Sequence, residues 1–199
     1  VNNCEAASNW DGHGLSLRTN QTDAREGQAC LEFTVDCDFW INTAPMTPVD
    51  ATGANALALE LYVSSAQDFY ASSVMCLELT SSGQHDVEES AWELTKFDIE
   101  DGWNSLVLPL SETDGGCDLS RINHIRFYSL GAAPEQPLTL RLDHIRLTYV
   151  NSELDMGDHV IGKQDGATAT PVMKDVVLNT PYDPWSKPSQ DQTVTGNEE

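Results

Sequence analysis

Apolar and polar residues alternate in short runs along residues 1–150 of the chain. Leu31, Phe33 and Val35 share one side of such a run, with Glu32 and Thr34 on the other. Leu57, Leu59, Leu61 and Val63 likewise oppose Glu60 and Tyr62, and Ile125 and Phe127 alternate with His124, Arg126 and Tyr128. In the last run Leu142 falls out of phase, and the pattern groups Asp143 with Ile145 and Leu147, opposite His144 and Arg146. A period of two predicts strands with one buried and one wet face, here at residues 15–20, 29–36, 56–64, 74–80, 92–99, 103–110, 122–129 and 138–150. Turn-forming pairs such as Asp11-Gly12, Glu26-Gly27, Ser82-Gly83 and Asp101-Gly102 separate them. Many short strands at this spacing, without helical periodicity between them, predict an all-β antiparallel β-sandwich. Past Val150 the alternation weakens to pieces at 159–161 and 173–178, then a proline-rich stretch and a polar end. Residues 1–150 are thus read as one module, and 151–199 as an irregular C-terminal extension or linker partly packed on it.

Charge narrows the partners. The chain of 199 residues carries 32 Asp and Glu against 10 Lys and Arg, a formal net charge of −22. So negative a chain repels nucleic acid and anionic membrane surfaces, which bind proteins through Lys and Arg. No apolar run reaches the roughly 18 residues of a membrane-spanning helix, so neither a nucleic-acid partner nor membrane insertion is expected. The chain starts at Val1 without an apolar leader, which reads as an excised or mature piece of something longer. Five cysteines, Cys4, Cys30, Cys37, Cys76 and Cys117, form no CxxC pair; a Cys4–Cys30 bridge and buried free thiols are both compatible with their positions.

Catalytic signatures are missing: there is no GxSxG, no HExxH and no phosphate-cradling glycine loop, so a non-enzyme is expected. Hard oxygen ligands for a structural Ca²⁺ are the better-motivated chemistry. The candidates are Glu5, Asp23, the backbone at Gly27, and Asp143, whose place beside Ile145 and Leu147 demands a partner or a metal. The alternative for Asp143 is a carboxylate bonded to turn amides or paired with Arg25 or Arg141. The polar strand faces supply a second constellation. His124, Arg126, Tyr128, Glu60 and Tyr62, with Trp92 in the sheet or at its rim, mix aromatic planes, an Arg fork and a carboxylate. Such a surface suits sugars, whose ring faces stack on aromatics while their hydroxyls pair with charged groups. The same residues also serve as ordinary polar covering of a sheet. Trp10 and Phe39-Trp40 sit near turns, as loop clamps or lids over the core ends.

The order of several segments resembles a known family. These are Cys4-Glu5, Trp10, the stretch from Arg25-Glu26-Gly27 to Glu32, Ala56 to Val63, Gly102-Trp103 to Leu110, and Leu140-Arg141-Leu142-Asp143-His144-Ile145-Arg146-Leu147. Together they resemble the jelly-roll, galactose-binding-like carbohydrate-binding modules of family 11 and its relatives 4 and 22. The resemblance implies a non-catalytic binder of polysaccharide or oligosaccharide. It also implies a structural Ca²⁺ held by residues matching Glu5, the Gly27 turn and Asp143, and a sugar groove onto which Arg126, Tyr128, His124 and Tyr62 fall. An extracellular setting follows, secreted or cell-surface attached, beside neighbouring modules of a longer chain. The competing expectation is a structural or adhesive spacer, or a protein-binding module, without sugar affinity.

Overall fold

The computed structural model describes residues 1–72, 74–113, 116–130, 134 and 136–150; the expectations for residues 151–199 fall outside these. Among the described residues, ten strands form two five-stranded sheets: β1 (Trp10–His13), β2 (Arg18–Asn20), β3 (Cys30–Val35), β4 (Trp40–Thr43), β5 (Ala56–Val63), β6 (Val74–Thr80), β7 (Glu89–Glu93), β8 (Gly102–Pro109), β9 (His124–Leu130) and β10 (Leu138–Thr148). Sheet one runs β1-β4-β9-β6-β7 and sheet two β2-β3-β10-β5-β8, and every pairing is antiparallel. The all-β antiparallel sandwich is therefore as the alternation implied. The single α-helix among the described residues, α1 (Ala66–Ala71), is capped by Ser65, whose hydroxyl accepts from the Asp68 N–H. No described helix is long and apolar enough to cross a membrane.

The inward positions of both sheets meet in one core. Leu31, Phe33, Leu57, Leu59, Leu61, Leu140 and Leu142 pack against Ile41, Met75, Leu77, Leu79, Ile125 and Phe127, all fully or nearly fully buried. Phe33 of sheet two, Phe127 of sheet one and the linking Phe39 close a ring of aromatic contacts at 5.5–6.0 Å between centroids. Burial of such side chains contributes roughly 1.5–3 kcal/mol each, so the interior dominates the stability. All five cysteines are free thiols, with Cys4, Cys30 and Cys76 buried.

Three local departures from the sequence pattern shape the outer faces. The run expected at 92–99 is instead β7 (Glu89–Glu93) followed by a 3-10 turn at Leu94–Lys96, because pairing with β6 sets its register at Leu77 opposite Trp92. Two short strands, β1 and β4, occupy segments that read as turns. Lastly, β10 carries a bulge between Asp143 and Arg146, with His144 at φ 47°. The bulge inserts a residue and reverses the phase. Asp143 therefore follows Arg141 onto the outer side, opposite Glu60, and does not share the inward face of Ile145 and Leu147 as the unbroken alternation suggested. Asp143 is nonetheless fully buried, because the turn through residues 23–28 folds over it.

Gly27, in that turn, has φ 65°, and a Cβ built on it would collide with Glu5 Oε1. Gly27→Ala is expected to destabilise the fold by about 2 kcal/mol or more, from the left-handed backbone and from displacing Glu5 off the Gln28 N–H. Urea denaturation of the two proteins measures it.

Candidate functional site

The outer face of sheet one is built by cross-strand register. One row reads His13, Trp40, Tyr128, Cys76, Glu93 across β1, β4, β9, β6 and β7; the next reads Asp11, Asn42, Arg126, Glu78, Ala91; a third holds His124, Thr80 and Glu89. Period two places all of them outward, since Ile41, Ile125, Phe127, Leu77, Leu79 and Trp92 take the inward phase. His13 stacks on Trp40 at 5.8 Å with an interplanar angle of 15°, and the Arg126 guanidinium lies 4.2 Å from the centre of the Tyr128 ring. An aromatic ledge thus runs beside a row of amide, guanidinium and carboxylate groups.

The segment between β6 and β7 covers one end of this face. From it Asp86 donates its backbone N–H to Glu78 Oε1 (3.1 Å), and its carboxylate accepts from Arg126 Nη1 (2.9 Å), which also reaches Glu78 Oε2 at 3.4 Å. Burial raises the Glu78 carboxyl to about 7, beyond what the Asp86 N–H and Arg126 restore. Burial, with the charges of His85 and Arg126, lowers the His124 pKa, which favours the neutral ring. Burial and the neighbouring Cys76 push the Tyr128 hydroxyl far up, so it stays a phenol. A cavity of about 650 Å³ opens here, lined by Asp11, Asn42, Ala44, Pro45, His85 and His124 among others.

Buried polar atoms without a partner gather on this side. Asn42 Oδ1, Thr80 Oγ1, Glu89 Oε2, His124 Nδ1 and Arg126 Nε all belong to the outer rows of sheet one, and Asn123 Oδ1 lies immediately before β9. Buried polar groups in folded proteins are almost always bonded, so such a concentration marks a face that receives water, an ion or a ligand.

The outer face of sheet two is closed on itself. Its central row is Arg18, Glu32, Arg141, Tyr62 and Trp103. Glu32, 2% exposed, accepts from Arg18, Asn20 and Arg141. The Arg141 guanidinium lies 4.1 Å from the Tyr62 ring centre, Tyr62 meets Trp103 edge-on at 5.6 Å, and the indole N–H of Trp103 donates to Asp23 at 3.1 Å. Glu60 accepts from the Ser105 hydroxyl.

The sugar-site residues read from the sequence are consequently divided. His124, Arg126 and Tyr128 stand together on sheet one, whereas Glu60 and Tyr62 lie on the opposite side of the sandwich, so no single surface holds all of them. Trp92 is a correction. It is 3% exposed and points into the core, with its indole N–H given to the Pro109 carbonyl at 2.8 Å, and has no surface to offer a ligand. Trp40, which the sequence places beside a turn, stands on the outer face of sheet one paired with Tyr128. Its signal was the alternation of Phe39, Ile41 and Thr43 against Trp40 and Asn42, obscured by Asp36 and Asp38 just before it.

The residues read as calcium ligands do lie around one turn, but their oxygens face N–H donors. Asp143 Oδ2 accepts from the backbone of Arg25 (2.7 Å) and Glu26 (3.0 Å), and Asp143 Oδ1 from His144 (2.7 Å). Glu5 accepts from the Gln28 N–H at 2.8 Å, and Asp23 turns to Trp103 and Arg141. The turn aims amide hydrogens at these carboxylates, so the Glu5, Asp23, Gly27 and Asp143 set is satisfied by N–H donors and needs no Ca²⁺ to complete it. The alternative reading of Asp143 as an acceptor for turn amides matches its contacts.

No model of a known protein family matches the chain, and a search of curated proteins finds no match. Solved structures do match. A family 11 carbohydrate-binding module from Clostridium thermocellum, solved with a β-1,3-1,4-mixed-linked tetrasaccharide, superposes with a TM-score of 0.51 at 15% identity, over 74% of this chain and 92% of its own. A family 30 module of a cellulosomal cellulase of the same organism gives 0.51 at 15% identity, over 68% and 86%. The fold is the β-sandwich jelly roll of carbohydrate-binding modules. The same jelly roll matches a part of a β-1,2-glucanase from Parabacteroides distasonis, with a TM-score of 0.54 at 13% identity over 72% of this chain and 23% of that one. At these identities the likeness fixes the jelly roll and leaves the chemistry to the residues described above.

Proposed function

We propose that the chain is a non-catalytic polysaccharide-binding module, and that the outer face of sheet one is where it holds the glycan. The observation that carries this reading is the Trp40–Tyr128 ledge beside buried, unpartnered Asn42, His124 and Arg126 atoms. Pyranose rings stack on the aromatic planes, and their hydroxyls, each both donor and acceptor, complete the orphaned groups. The family 11 neighbour solved with a tetrasaccharide supports the class of ligand, and a β-glucan such as that mixed-linked chain is the first to try. The charge of −22 favours a neutral glycan over a polyanionic one. In this reading the module works outside the cell, secreted or surface-attached, as part of a glycan-degrading or adherence protein, with residues 151–199 as an extension to a neighbouring module. A Ca²⁺ at the Glu5–Asp143 turn forms no part of it.

Affinity electrophoresis in gels containing β-1,3-1,4-glucan, xylan or glucomannan, together with pull-down on insoluble cellulose, tests the proposal. Retardation or retention by at least one glycan is expected. Failure on every one would leave the sandwich as a spacer or protein-binding module.

A further inference from the structure

The geometry points to a divalent-cation site, of a kind that suits Ca²⁺, formed by Glu78 on β6, Glu89 on β7 and Asp86 from the connection between them. Carboxylate oxygens of the three lie within 4.8 Å of one another, the one such group of metal-ligand side chains among the described residues. Two further observations indicate that something is held there. Thr80 Oγ1 is 0% exposed and has no partner; it follows Glu78 by two residues on the same outward phase and sits directly opposite Glu89 in the β6–β7 pairing. Glu89 Oε2 is buried and equally unpartnered. Three carboxylates thus gather from two paired strands and the loop that joins them, with a buried, unpartnered hydroxyl on the same outward face.

Among the described residues, one carboxylate of the three has no cation beside it. The Nη1 of Arg126 reaches Glu78 and Asp86, and this one guanidinium leaves Glu89 unanswered. Arg126 and a divalent ion together offset the three carboxylates. The donors are all hard oxygens, which excludes the soft metals that prefer thiolate and imidazole. Calcium–oxygen bonds of about 2.3–2.6 Å span about 5 Å across the ion, wide enough for oxygens at this separation. A protein-supplied cage that includes a loop ligand suits the adaptable shell of Ca²⁺, whereas Mg²⁺ holds to a tight octahedron and keeps several of its waters.

The ion would fasten the connection between β6 and β7 to the sheet. Asp86 and Glu88, with φ 59° and 51°, bracket its approach, and His85 next to Asp86 lines the cavity with His124. The site is distinct from the Glu5–Asp143 turn and stands whether or not the face binds a glycan.

The test uses the full chain, stripped with chelator and titrated with CaCl₂ and, separately, MgCl₂ by calorimetry, with thermal melting alongside. Saturable binding of one Ca²⁺ is expected, weaker by at least tenfold for Mg²⁺. Calcium at a hundred times its Kd should raise the folded-to-unfolded ratio about a hundredfold, seen as a higher Tm. Glu89→Gln and Asp86→Asn should each weaken Ca²⁺ binding at least tenfold, while Glu5→Gln leaves it unchanged. Asp86 is exposed, so Asp86→Asn keeps the test available if Glu89→Gln does not fold. No calcium binding by the wild type, or binding that survives both substitutions or is lost only in Glu5→Gln, would overturn the inference.

Discussion

Glu32→Gln is expected to lower the unfolding free energy by about 3–5 kcal/mol, the cost of removing one partner from a buried ion pair. Glu32 is the hub of the sheet-two outer face: it is almost fully buried and accepts from Arg18, Asn20 and Arg141 at once. Burial alone would raise its pKa, but hydrogen bonds from Arg141, Asn20 and Arg18 outweigh it and hold the carboxyl down at about 2, against 4.5 in an ordinary glutamate. A depressed folded-state pKa contributes stability that is fully present above the unfolded value and lost as pH falls through the folded one. Between pH 4.5 and 2 this single group should therefore remove up to about 3 kcal/mol, at about 1.4 kcal/mol per pH unit. The amide that replaces the carboxyl in the Glu32→Gln protein cannot titrate, so urea denaturation of that variant should show a correspondingly shallower decline across the same window. Equal acid sensitivity in both proteins would mean that Glu32 is not the group that titrates.

The positions of the strands were legible where period two ran without interruption. β3, β5, β6, β8 and β9 lie within a residue or two of the predicted runs, because each has a continuous inward set such as Leu57, Leu59, Leu61 and Val63. The pattern failed where a backbone irregularity intervened. An extra residue at the β10 bulge turned Asp143 over, and alternation cannot reveal a bulge without knowing the partner strand. The short β1 contains Asp11-Gly12, a turn pair, and takes its extended form from pairing with β4. The site was legible only by halves. Alternation identified His124, Arg126 and Tyr128 as outward-facing, but outward has two directions in a sandwich, and only the strand order β4-β9-β6 against β10-β5-β8 sends Tyr62 and Glu60 to the far side. The closed state of the Asp143 turn was equally out of reach, since its donors are backbone amides and carry no residue signature.

That division of faces makes the second large effect specific. Trp40→Ala and Tyr128→Ala are each expected to weaken glycan binding by about 2 kcal/mol, roughly thirtyfold in Kd, the loss typical of an aromatic anchor at a binding face. The two rings are directly paired across β4 and β9, so one sugar chain would lie along both, and the double variant should fall below detection. Their half-buried positions keep the structural cost to about 1 kcal/mol, because neither ring enters the core. Tyr62→Ala and Trp103→Ala are the opposite case: their rings are committed to Arg141 and to each other, so stability should drop while Kd holds. Affinity electrophoresis and denaturation on the same four proteins separate the outcomes. If Tyr62→Ala abolished binding while Trp40→Ala left it intact, the glycan would lie on sheet two, and the unpartnered atoms of sheet one would have to be completed by water or by the cation alone.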